Sequence, residues 1–356
     1  MKTNNLLSTF FIATTICLAS CGRDETPIPE IIPSDGTKLT LDGGAGASDA
    51  ENAVFVDLST DKQSSVKRVS WNLGFYNGSN FRVIQNSMTG AAAAVTTSSD
   101  INAVNTTNFD ISVLSSGTVP EKLALYDNPD GDVTKTVISE INATEANNKV
   151  YVINTVFAGA ATEANIWKVR VLKSGTTGYT LQYAKINETT FKTATINKDG
   201  NNNFQYFSFE TGNVTVEPAK TDWDFVWSKA MYTTLMGTTT IPYIFSDLVF
   251  TNHLANVSSV QVIFKNTDGT SNGNPTYDEF EESNLAALSL SAARNVIGSN
   301  WRATTGTPSG AFTDRFYVIK DASGNVYKLK FLAMGAGSDG GTRGYPQLEY
   351  KLVKRG

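Results

Sequence analysis

Three features of the chain predict an all-β fold, antiparallel and sheet-rich, with few short helices. Charged residues make up only 18% of it, while Thr, Ser, Asn, Gly and aromatic side chains are plentiful, a composition suited to strands and turns. Apolar residues alternate or run over strand lengths. Clusters of Asn, Asp and Gly punctuate those runs. Net charge is −5 with the basic residues dispersed, which speaks against a nucleic-acid partner. A single histidine, His253, excludes multi-histidine zinc sites and leaves a serine-histidine-acid triad only one base.

At the N-terminus, Met1-Lys2 gives a positive start and Leu6 to Leu18 an apolar core. Leu18-Ala19-Ser20-Cys21 then reads as a lipobox, with the small residues that a signal peptidase requires before a cysteine. The apolar run is too short to span a bilayer. Residues 1–20 are read as a lipoprotein signal peptide and Cys21 as the first mature residue, acylated (palmitate being one such chain) and holding a soluble domain against a membrane. A plain signal peptide with a nearby cysteine is the other reading. Cys17 leaves with the signal and Cys21 is used by lipid, so the domain must rely on core burial without disulfides.

Residues 21–50 are expected to be a flexible tether: polar Gly22-Arg23-Asp24-Glu25, then Pro27, Pro29 and Pro33, then Asp42-Gly43-Gly44-Ala45-Gly46. Asp24-Glu25 is either solvated tether charge or resembles the surface-export signal of Bacteroidetes-type lipoproteins. Residues 51–356 form the all-β domain, divisible into two related halves, 51–200 and 201–356. Strands are expected at 54–58, 71–75, 149–153, 166–172, 179–183, 204–209, 316–319 and 327–331, with 348–352 as the last. Asn197 to Asn201 and Asp321 to Asn325 read as hairpin turns with Gly at positive φ. Thr276 with Glu279 makes a capping-box pattern, and Asp278, Glu281 and Glu282 favour a helix start there. The halves echo one another: Phe55 aligns with Phe207, Trp71 with Trp223, Asn72 with Asp224 and Leu73 with Phe225, at an offset of 152 (223 − 71).

Candidate chemistry is sparse. Asp127-Asn128-Pro129-Asp130-Gly131-Asp132 lacks the spacing and closing glutamate of a calcium loop and reads as a turn. Arg343-Gly344-Tyr345-Pro346 leads into the last strand rather than forming an anion site. Asp222 and Asp224 share a strand face but read as strand decoration rather than glycosidase acids. No G-x-S-x-G elbow accompanies His253. No catalytic residue and no metal site are assigned, and a non-enzyme is expected.

The stretch from Trp223 to His253 is different. Aromatic strands bracket a Thr/Gly-rich loop that carries Met231 and Met236, with the sole histidine at its far end. Haem needs aromatic walls, soft axial donors and a cation near its propionates. Met231, Met236 and His253 are the candidate ligands, Trp223, Trp227, Tyr232 and Tyr243 the candidate walls, and Lys229 the candidate cation. The other reading makes the methionines gap-fillers of a β core.

The chain also resembles the HmuY family, haem-binding surface lipoproteins of Bacteroidetes. The resemblance rests on Val56-Asp57-Leu58-Ser59, Ser70 to Phe75, Asp222-Trp223-Asp224-Phe225 and Ile297-Gly298-Ser299-Asn300-Trp301-Arg302. It continues in Asp314 to Asp321, Tyr327 to Phe331 and Gly344-Tyr345-Pro346, over most of residues 54–353. It implies an all-β, monomeric or loosely self-associating haem carrier, anchored by lipid and exposed at the outer-membrane surface, which takes haem from solution or haemoproteins for iron acquisition. A TonB-dependent outer-membrane receptor is the implied partner. Well-studied members ligate haem through two histidines and this chain has one, so no motif fixes the ligands. A non-catalytic surface binding or adhesion module for carbohydrate or protein is the alternative function.

Overall fold

β-Branched and aromatic runs form strands because their side chains pack well on a pleated, half-buried surface. The computed structural model describes residues 32–356, and Pro33–Gly356 form one compact unit. The lipobox, Cys21 and Asp24-Glu25 lie outside the described residues. A first set of strands runs β1 (Lys38–Thr40), β2 (Asn52–Asp57), β3 (Lys62–Lys67), β4 (Leu73–Tyr76), β5 (Val83–Gln85), β6 (Ala92–Val95), β7 (Tyr151–Asn154), β8 (Ile166–Ser174) and β9 (Gly178–Lys185). A second set runs β10 (Lys192–Asn197), β11 (Phe204–Ser208), β12 (Gly212–Val214), β13 (Phe225–Met236), β14 (Thr239–Thr251) and β15 (Ser258–Ile263). After the short pair β16 (Arg302–Ala303) and β17 (Gly310–Ala311) come β18 (Arg315–Lys320), β19 (Val326–Ala333) and β20 (Gln347–Lys354). The all-β expectation holds: among the described residues the helical segments are short 3-10 turns, the longest being Pro120–Leu125 and Glu282–Ala287.

The strand orders repeat. Two five-stranded sheets run β10-β9-β8-β7-β6 and β1-β20-β19-β18-β15. Two four-stranded sheets run β12-β11-β4-β5 and β3-β2-β13-β14. Matching β1–β9 in order to β10–β15 and β18–β20 turns each sheet of a pair into the other. In both sets the opening two strands pair with the opposite set: β2 lies against β13, β11 against β4, β1 against β20 and β10 against β9.

Alternation gives every sheet two faces to bury. Val56, Phe225 and Trp227 meet Tyr317, Ile319 and Leu329 of one outer sheet. Leu73, Phe75 and Phe207 meet Val169, Leu181 and Tyr183 of the other. Between the two four-stranded sheets a central core gathers Phe55, Trp71, Tyr206, Trp223, Val226 and Phe250. The sheets therefore stack outer, inner, inner, outer, with two aromatic pairs at the middle. Phe55 meets Trp223 edge-on at 5.0 Å between ring centroids, and Tyr206 meets Trp71 at 4.9 Å.

That geometry corrects the register of the echo. Asp224 N donates to Val56 O at 2.7 Å and Asn72 N to Phe207 O at 2.8 Å. The counterpart of Phe207 is thus Val56, and Phe55 matches Tyr206. The second copy has one more residue between its first strand and its tryptophan, and a one-residue slip would send every side chain to the opposite face.

Other expectations are corrected as well. The segment expected as tether up to residue 50 is folded from Pro33: β1 pairs with β20, Leu41 is fully buried, and Gly43 N donates to Gly344 O at 3.1 Å. Gly43 lies so close to Gly344 and the Trp227 ring that no side chain fits there. Residues 197–201 do not close a hairpin; they carry the chain from β10 in an outer sheet to β11 in an inner one. Asp321 to Asn325 does join paired strands, β18 and β19. Thr276 and Glu279 make the expected reciprocal bonds but close only a single turn, Phe280 N to Thr276 O. Phe280 must reach the core at that point, and the 3-10 turn that follows has its own capping box from Glu281 and Asn284.

Candidate functional site

β13 and β14 form a hairpin longer than its neighbours. Only Phe225–Trp227 of β13 pair with β2, and beyond them the two strands pair with each other. The pairing slips between Ser228 and Ala230, opposite Asp247, which has φ 58° and an ion pair to Arg343. Such irregularities bend a hairpin and re-aim its side chains. Past the slip, Met231 is buried, and its N–H donates to Ser87 O at 2.7 Å. β14 ends at Thr251, and the chain turns at once into a 3-10 turn that opens with His253.

Met231 and His253 line one cavity of about 100 Å³, where the rim of the central core meets the loop after Pro120–Leu125. Tyr232, Gln85, Asp127 and Arg294 share its wall. A second cavity of about 100 Å³ lies deeper, among Phe55, Trp71, Tyr206, Glu217 and Trp223. Ile84, Ser87, Phe204, His253, Leu254 and Arg294 line both and form the partition between them.

The polar groups of this wall are held by backbone. His253 Nε2 lies 3.2 Å from Gly131 O, and because a carbonyl only accepts, Nε2 carries the proton. Burial, with the Arg294 cation beside it, holds the imidazole pKa below its usual value, so the ring is neutral near pH 7. Arg294 donates through Nε and Nη2 to Pro129 O, and its guanidinium lies 4.3 Å from the centre of the Phe250 ring. Burial lowers its pKa to about 10. Asp127 accepts from Gln85 N and Val137 N, both at 2.8 Å, and burial raises its carboxyl to about 6. Glu217 accepts from Phe204 N at 2.8 Å and from Tyr206 Oη at 3.3 Å, and burial raises it to about 7. Gln85 Oε1 and Tyr126 Oη are buried without a partner among the described residues.

Four candidates come together here: Met231, Tyr232 and His253 at the outer cavity and Trp223 at the inner one. The others do not. Met236 is 61% exposed at the hairpin tip, and Tyr243 is 44% exposed, packed on Phe245. Trp227 points into the opposite core, and Lys229 bonds Asp49 at 2.6 Å. The cation at the cavity is Arg294, which sequence reasoning missed because it lies 41 residues beyond His253 with no local motif. Asp127, Glu217 and Gln85 were missed too. The turn reading of 127–132 is correct, as Gly131 N donates to Asn128 O, but it gives no sign that its first carboxylate turns inward. Among the described residues no three His, Cys, Asp or Glu side chains converge as a metal site, and no helix is long and apolar enough to cross a membrane.

No curated protein and no solved structure matches the chain. A family model described as HmuY protein matches residues 172–350, from β8 into β20 and so through both cavities' β13–β14 wall. That match covers 179 of the 356 residues, half the chain, and together with the strand-rich architecture it places this protein in the HmuY family.

Proposed function

We propose that this protein captures haem without performing chemistry on it, at the cavity between the inner sheets. The observation that carries the reading is the meeting of a buried thioether, Met231, and the sole imidazole, His253, in one apolar-walled cavity. A neutral imidazole and a thioether are the soft donors that a haem iron takes, and the Arg294 guanidinium is the matching group for a propionate. The cavity, at about 100 Å³, is far smaller than the roughly 300–1,000 Å³ of ordinary ligand sites. Uptake therefore requires the Phe204 and Leu254 partition to open and the two cavities to merge. Lipid on Cys21 would hold the protein at the outer membrane, from which a TonB-dependent receptor would collect the haem.

Hemin titration of the purified protein tests this. Binding shifts and sharpens the Soret band; Met231→Ala and His253→Ala each weaken it at least ten-fold, and Met236→Ala leaves it unchanged. A spectrum identical to that of free hemin, or Met231 and His253 variants that bind like the parent, rejects the reading.

A further inference from the structure

Two open grooves, each of about 390 Å³, lie at the ends of the matching outer-sheet strands β6 and β15. No lining residue of either groove ionises. They differ in what their polar groups have left to offer.

Beside β6 the polar groups other than the Thr97 hydroxyl are committed. Asn108 Nδ2 donates to Ala103 O at 2.6 Å, and its Oδ1 accepts from Asn105 N. The Thr96 and Ser98 hydroxyls donate to neighbouring carbonyls. Beside β15 they are not. Asn272 and Asn274 both donate to Ile263 O, at 2.9 and 2.8 Å, and pin their loop to the end of the strand. Asn274 Oδ1 is left without a donor. Gln261 pairs with Tyr317 and accepts its hydroxyl through Oε1 at 3.3 Å, so its side chain follows Tyr317 to the face of the sheet opposite Val262 and Phe280. Asn284 Oδ1 takes Glu281 N at 2.8 Å, which leaves Nδ2 unused. One amide donor, Asn284 Nδ2, and one amide acceptor, Asn274 Oδ1, thus stand at a groove whose apolar part comes from Phe280 and Leu288.

That lining selects a ligand class. A purely apolar molecule would strand the amides, and an ion would find no opposite charge among the lining residues. A molecule with paired hydroxyls and an apolar ring face satisfies both parts. The volume lies within the range of small-ligand sites. We propose that the groove beside β15 binds a neutral saccharide of one or two residues, independently of the haem reading.

The test is saturation-transfer NMR and calorimetry on the purified protein with maltose, cellobiose and lactose. At least one should bind with a millimolar or tighter Kd. Asn274→Ala combined with Asn284→Ala should weaken it at least five-fold, and Asn284→Asp, which turns a donor into an acceptor at constant volume, should weaken it as well. Thr97→Ala in the sister groove should have no effect. Thermal melting checks that each variant folds, and hemin titration of the double variant should match the parent, which separates the two readings. Absence of binding by all three sugars, or binding that survives both β15 variants, overturns the proposal.

Discussion

Asn72 and Asp224 occupy matching places in the two inner sheets and make the same bond. Asn72 Oδ1 accepts from Phe209 N, and Asp224 Oδ2 accepts from Leu58 N, each at 2.8 Å. Asn86 Nδ2 donates to Arg68 O and Trp71 O, and Asn252 Nδ2 donates to Lys220 O and Trp223 O. In the outer sheets Lys168 reaches Val104 O and Glu188 O, while Lys328 reaches Tyr277 O and Phe280 O. These repeated clamps satisfy buried backbone and belong to the architecture. The differences fall at the cavities. After Asn86 comes Ser87, whereas after Asn252 comes His253; Glu217 and Arg294 likewise belong to the second set alone. A near-symmetric interior has thus been made chemically one-sided where the two sheets face each other.

The largest test of the likeness is at its aromatic centre. Trp71→Ala and Trp223→Ala should each cost about 3–5 kcal/mol, read from urea unfolding, because each opens a cavity beside an edge-on ring. Equal losses sharpen the correspondence, and a loss confined to one tryptophan breaks it.

Glu217 tests the difference. Its folded pKa of about 7 lies above that of an unfolded glutamate, 4.5. The folded state therefore holds the proton more tightly, and stability falls as pH rises through about 4.5 to 7. Glu217→Gln should remove a fall on the order of 1–3 kcal/mol across that window, measured as the change in unfolding free energy between pH 4.5 and 8. An unchanged slope would place the titration elsewhere.

Asp224→Asn makes the second sheet imitate the first. Burial, and then Asp321 and Asp57, raise the Asp224 carboxyl well above its ordinary range, so its proton too is lost at a cost as pH rises. The amide keeps the bond from Leu58 N, and the variant should equal the parent at low pH and exceed it at pH 8. Lower stability at both pH values would mean that the carboxylate has a task the amide cannot perform.

Strand content was legible because alternation and turn clusters are local signals. β8, β9, β18 and β19 fall where Ile166 to Leu172, Tyr179 to Tyr183, Phe316 to Ile319 and Tyr327 to Phe331 announce them. The tryptophan echo was legible too, but its register was not, since one extra residue in a turn leaves no mark in composition. Proline and glycine before residue 50 suggested a spacer. What anchors that segment is its pairing with Gln347 to Glu349, some 300 residues away, which no local pattern announces. At the site, Met231 and His253 were legible as rare residue types. Met236 was not distinguishable from Met231, because the slip that decides which methionine faces inward depends on Asp247 and Arg343.

The pairing of β1 with β20 reaches beyond stability. The first strand of the folded unit finds its partner only in the last, so one outer sheet stays incomplete until almost the whole polypeptide is in place. Contacts this distant along the chain form slowly. A polypeptide that emerges N-terminus first would carry β1 without its partner through most of its passage, and that sheet would close only when residues 347–354 arrive.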